Sequence, residues 1–136
     1  MLTVSARATK LSSLAALTAT GGPLAGVKVH LFQNNIIPGP GTQLTDFVDA
    51  TFDGYAAQAA GTWGAPYYGP DGNAHVTAPG LQFQPTGSTT PNTIYGAYYT
   101  NTAGSALVGA VKFDNSIPMI DPTTGFVFEP DWMYGV

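Results

Sequence analysis

The chain carries eight carboxylates, two histidines and no cysteine. The chemistry open to it is therefore acid–base work, oxygen ligation of a hard cation, or attack by a hydroxyl. Asp46, Asp49 and Asp53 form the one close acidic group. Spacings of three and four would put them on one helix face, but Thr51, Phe52 and Gly54 oppose a helix through Asp53, and the group reads as helix capping and loop solvation. Asp121, Glu129 and Asp131 bracket the apolar run Phe126–Phe128. Glycoside hydrolysis needs two acids flanking a sugar, which spacing alone neither supplies nor excludes. Gly69-Pro70-Asp71-Gly72-Asn73 offers oxygen ligands on a tight turn, as calcium loops do, yet it lacks their further carboxylates, and a plain hairpin turn accounts for Asp-Gly as well. His30 and His75 have no His-x-x-x-His or His-Glu pairing and read as hydrogen-bonded strand histidines rather than zinc ligands.

None of Ser5, Ser12, Ser13, Ser88, Ser105 and Ser116 sits in a Gly-x-Ser-x-Gly elbow. No Gly-x-Gly-x-x-Gly follows a strand, and no Lys-bearing phosphate loop is present. The expectation is a protein that is not an enzyme, with no catalytic residue, no cofactor and no metal. Charge narrows the partners. Four cations, Arg7, Lys10, Lys28 and Lys112, against eight acids leave a net charge of -4, too little basic surface to neutralise a nucleic-acid backbone. No apolar run approaches the roughly 20 residues of a membrane-spanning helix. The first 22 residues imitate a signal or transit peptide only weakly, because Leu11–Leu17 is short and Ser-interrupted. Charged residues make up 9% of the chain, far below the usual quarter or so, which leaves Thr, Ser, Asn, Gln, Gly and backbone to cover the surface. That suits contact with other protein surfaces.

The aromatic residues are the most distinctive feature. In Ile94-Tyr95-Gly96-Ala97-Tyr98-Tyr99, strand alternation puts Tyr95, Ala97 and Tyr99 on one face and Ile94, Gly96 and Tyr98 on the other. If one face is core, the other is an exposed strip able to stack on sugars or enter a subunit interface. The alternative is core tyrosines with hydroxyls at the rim.

Thr9–Ala19 brings Leu11, Leu14, Ala15 and Leu17 near helical spacing, with Ser12 or Ser13 as N-cap and Gly21-Gly22-Pro23 as the stop. Leu2, Val4 and Ala6 alternate as a strand would. Either form makes residues 1–26 an N-terminal arm, docked on a neighbouring subunit or packed on its own domain. Val27–Phe32 reads as a half-buried strand with Val and Leu inward, and Thr42–Phe47 as one helical turn capped by Thr42. Thr51–Gln58, Asn73–Ala78, Leu81–Gln84, Thr93–Asn101, Ser105–Phe113 and Gly125–Glu129 are the further strands, separated by Gly- and Pro-rich turns. The fold class expected for 27–136 is all-β: an antiparallel, jelly-roll-like β-sandwich with a short helical turn. Candidate interface residues are Leu11, Leu14 and Leu17 on the arm and Tyr95, Tyr98 and Tyr99 on the Tyr-rich strand.

Val29-His30-Leu31-Phe32-Gln33-Asn34-Asn35, Leu44-Thr45-Asp46-Phe47, Ala50-Thr51-Phe52-Asp53-Gly54-Tyr55, Trp63-Gly64-Ala65-Pro66, Thr93-Ile94-Tyr95-Gly96 and Ile117-Pro118-Met119, in that order, resemble a group of small, functionally uncharacterised proteins encoded among bacteriophage and prophage structural genes. The resemblance spans about Val27 to Trp132 and contains no catalytic motif. It implies a virion component, made in the host cytoplasm: a capsid decoration protein, a fibre or a tail accessory subunit. Its expected partners are other virion proteins in a homo-oligomer or lattice. The alternative expectation is a glycan-binding module for host-surface or extracellular carbohydrate.

Overall fold

A computed structural model describes residues 4–19 and 22–134. Among the described residues the chain forms one α-helix, one 3-10 turn and nine strands, so the protein is mostly β with antiparallel sheets. The chain divides into two compact units. One comprises Met1–Gly26, Ala60–Leu81 and Glu129–Val136, and the other Val27–Ala59 and Gln82–Phe128. The segment read from sequence as an arm thus belongs to the same unit as 60–81 and 129–136.

In the first unit, helix α1 spans Val4–Thr18. It starts well before the expected Thr9, so Ser12 and Ser13 lie inside it and do not cap it, and Val4 and Ala6 are helical rather than alternating. The helix ends where Leu24 N donates to Leu17 O (2.8 Å) and Gly22 N to Ala19 O (2.7 Å). A side chain at Gly22 would meet the Ala16 and Leu17 carbonyl oxygens at 2.5 Å, so this closure needs glycine. Leu14 and Leu24 are buried, and the helix lies against strand β4 (Ala74–Thr77). β4 is the middle strand of a sheet with β3 (Tyr67–Tyr68) and β9 (Asp131–Tyr134). Ala74 and Val76 of β4 are fully buried, whereas His75 and Thr77 on the opposite face are half-buried. The Trp63 indole N–H donates to Leu24 O (2.8 Å), so a large buried ring keeps its one polar atom satisfied.

In the second unit, β2 (Gln58–Ala59), β1 (Lys28–Phe32), β6 (Asn92–Thr100) and β7 (Leu107–Met119) form a sheet in that order. β5 (Leu81–Phe83) pairs with β8 (Phe126–Phe128). Phe113 and Tyr99 of the larger sheet meet Phe126 and Phe128 of the smaller one, with ring centroids 5.9–6.2 Å apart. On the other face Phe32, Phe47 and Tyr98 form a buried cluster that Ile36, Leu44 and Leu107 pack against. Both faces of the central strands are therefore covered. Val29 and Leu31 are fully buried while Lys28 and His30 are half-buried, as the alternation of β1 suggests; only Phe32 departs from it, being fully buried too because the Phe47 and Tyr98 rings cover that end of the strand. The expected turn over Thr42–Phe47 is a 3-10 turn at Leu44–Asp46, where the Asp46 carboxylate accepts from Gln43 N (2.8 Å) and Thr42 is not the cap.

Candidate functional site

Polar residues that could act chemically are drawn together where the paired strands β1 and β6 meet the loop after the 3-10 turn. His30 and Tyr98 are cross-strand partners, and their rings stack at 4.6 Å. His30 Nε2 lies 2.9 Å from Thr100 Oγ1, and His30 Nδ1 lies 3.7 Å from Asp49 Oδ2. The Tyr55 hydroxyl donates to Asp49 Oδ1 (2.7 Å) and accepts from Leu31 N (2.9 Å). Burial pushes the Asp49 carboxyl up, and the His30 ring and Tyr55 hydroxyl beside it more than offset this, so it lies below its ordinary value. Burial, reinforced by Asp49, pushes the Tyr55 and Tyr98 phenols up.

Hydroxyl, imidazole and carboxylate in this order are the parts of a nucleophilic triad. The geometry does not complete one. Thr100 is fully buried and donates its hydroxyl proton to Asn101 O (3.1 Å), while His30 Nδ1 is buried without a hydrogen-bond partner and too far from Asp49 for one. The cluster instead ties the 49–55 loop to β1 and stacks Tyr98 between His30 and Phe47, 4.5 Å from the latter. Asp46 and Asp53 do not join it. Asp53 accepts from Thr89 N (2.8 Å) and from the Thr90 hydroxyl, which hold its carboxyl below the ordinary value. Asp121 accepts from Thr123 N (2.8 Å) and Oγ1 (2.6 Å), so it closes its own turn.

In the first unit, His75 sits between two carboxylates. Its Nε2 is 2.9 Å from both oxygens of Asp71, and its Nδ1 is 3.0 and 3.1 Å from those of Asp131, while Tyr67 stacks on its ring at 5.7 Å. Both oxygens of the Asp71 carboxylate thus face His75, and Oδ1 also accepts from Asn73 N (3.0 Å). Among the described residues no group of three or more His, Asp or Glu side chains is arranged to hold a metal ion. Sequence spacing could not have found either cluster, because their members lie as far apart as 70 residues along the chain.

The expected interface residues fall differently. Leu14, Tyr98 and Tyr99 have relative exposures of 0%, 5% and 4%, so they are interior side chains and present nothing to a partner. Leu11, Leu17 and Tyr95 are half-buried, and Tyr95 packs against the Phe32 cluster. The exposed aromatic strip is absent because both faces of β6 are covered.

An open strand edge of the second unit lies at β7. It is the end strand of its sheet, paired with β6 along one edge and with no strand along the other among the described residues. Gly96–Thr100 of its partner β6 are all buried, whereas Val111 of β7 is 41% exposed. Register shifts bracket a regular stretch. One falls between Ile94 and Gly96 and another between Tyr99 and Thr100, leaving Gly109–Lys112 paired continuously with Gly96–Tyr99. Beside this stretch, Leu107–Ala110 and the Pro38, Gly39, Pro40 and Thr42 loop line a groove of about 300 Å³ without a charged side chain. No protein-family profile, curated protein or solved structure matches the chain.

Proposed function

We propose that the chain is a structural subunit of a bacteriophage virion, a capsid decoration, fibre or tail accessory protein, acting through protein–protein assembly. The observation that carries the reading is the β7 edge: a strand with no partner along its outer edge among the described residues, whose regular stretch Gly109–Lys112 holds no proline and one charge, Lys112, which donates to Asn35 Oδ1 (2.6 Å), beside an uncharged groove. Proteins that stay monomeric blunt such edges with charges, prolines or bulges, and strand addition is a standard way of using one that is left open. Low overall charge and exposed apolar side chains at Val111, Ile120 and Val127 support assembly by backbone pairing and apolar contact. The architecture proposed with this function is a jelly-roll-like β-sandwich, supported by the facing of the β6–β7 and β5–β8 aromatic surfaces. Mass spectrometry of gradient-purified particles tests the reading. The chain is expected at a fixed copy number per particle, and its absence from particles while it accumulates in the lysate would overturn the assignment.

A further inference from the structure

A second cleft in the same unit has different chemistry. It measures about 250 Å³ and is lined by Phe52, Tyr55 and Phe83 together with Gln58, Gln82 and Gln84. Phe52 and Phe83 are buried and form its apolar base. Tyr55 meets Phe52 edge-on (5.2 Å) and Phe83 nearly parallel (6.4 Å). Its hydroxyl is anchored on Asp49 and Leu31 N, so the ring is held in place before any ligand arrives.

The three glutamines form a partly used amide rim. Gln58 Nε2 donates to Gln82 O (2.7 Å), Gln82 Nε2 to Gln84 Oε1 (3.0 Å), and Gln84 Nε2 to Pro122 O. These bonds orient the amides without exhausting them. Each keeps a second N–H, and the Oε1 atoms of Gln58 and Gln82 accept no hydrogen bond among the described residues. A rim offering donors and acceptors in alternation matches hydroxyl groups, which do both. An aromatic base matches the C–H face of a sugar ring, and no Lys, Arg, Asp or Glu lines the cleft to recognise an ionised ligand. The volume lies below the roughly 300 Å³ at which drug-sized pockets begin, which suits one ring.

We propose that this cleft binds one ring of a neutral saccharide, with Tyr55 as the positioned aromatic and Gln58, Gln82 and Gln84 as the hydroxyl-reading groups. The inference does not depend on the virion reading, since a sugar site and an assembly edge occupy different surfaces of the unit. Amide NMR titration of the full chain with glucose, galactose, mannose and N-acetylglucosamine tests it, with sialic acid and inorganic phosphate as charged probes. At least one neutral sugar is expected to give saturable shifts at Gly54, Tyr55 and the side-chain amides of Gln58, Gln82 and Gln84, with a Kd on the order of 1–10 mM. Gln82 is exposed, so Gln82→Ala should leave the remaining spectrum unchanged and weaken binding by about fivefold or more. Absence of saturable shifts with every neutral sugar would overturn the proposal. So would binding indifferent to Gln82→Ala, or equal binding of the charged probes at the same amides. If Gln82→Ala disturbs the fold, Gln58→Ala decides by the same criteria.

Discussion

A neutral imidazole has one N–H to give, yet both nitrogens of His75 face carboxylates. Both bonds are satisfied together when the ring carries two protons, and Asp71 first, then Asp131, hold the His75 pKa above its ordinary 6.5. His75 in turn holds Asp71 below its ordinary 3.8. The contribution of His75 is thus fully present below pH 6.5 and fades as pH rises through its raised folded value. That of Asp71 is present above 3.8 and is lost as pH falls through its lowered folded value. Amide exchange in β9 should therefore be slowest between about pH 4 and 6.5 once corrected for the intrinsic pH dependence of exchange, and His75→Gln should flatten that profile. A wild-type profile that is already flat would show that the clasp does not hold β9. Buried side chains give larger effects. Tyr98→Ala removes a ring stacked on His30 and Phe47 and should cost about 3–5 kcal/mol, and Leu14→Ala about 2–5 kcal/mol, in denaturant unfolding. Losses well under 1 kcal/mol would contradict their interior placement.

Elements were legible wherever a local signal was strong. The alternation around Ala74–Thr77, Leu81–Phe83, Asn92–Thr100 and Phe126–Phe128 marks strands that do form. Thr51–Gln58 reads as a strand on composition but turns at Phe52–Tyr55 and keeps only Gln58–Ala59 as β2, because the Asp49, Asp53 and Tyr55 side chains serve other segments. Tyr67–Tyr68 and Asp131–Tyr134 are too short for periodicity to reveal; pairing with β4 makes them strands. β7 runs on to Met119 through a stretch rich in turn residues, because Ile117–Met119 resume pairing with Asn92–Ile94 after an irregularity. The pairing of β1 with β6 also requires a glycine opposite Phe32. A Cβ on Gly96 would lie 2.5 Å from Phe32 Cζ and would meet the Val111 carbonyl oxygen. Backbone on one side and a buried ring on the other leave nothing free to yield, so Gly96→Ala should destabilise by about 1–3 kcal/mol in chemical unfolding. A neutral substitution would mean that the Phe32 ring has room to move.

At the scale of the whole molecule, low charge raises the expectation of contact surfaces, and the burial of Tyr98 and Tyr99 is why the contact we propose lies at the β7 edge rather than on the tyrosines. The exposed strip was unreadable because a sequence cannot say whether the second face of a strand is covered, and here Phe47 on one side and Phe128 on the other cover β6. Few charges are available for ion pairs across an interface, and exposed pairs contribute only about 0–1 kcal/mol each, so assembly along β7 should be insensitive to salt. Sedimentation velocity of the full chain and of Val111→Lys, at ~0.05 and ~1 M salt, tests this most directly. Raising salt shortens the screening length to about 3 Å and suppresses charge-driven association. The wild-type chain should self-associate equally at both ionic strengths, while Val111→Lys keeps the native circular dichroism spectrum and associates at least about tenfold more weakly. A wild-type chain that sediments as a monomer at high concentration or dissociates in ~1 M salt, or a Val111→Lys chain that assembles like the wild type, would contradict assembly through this edge.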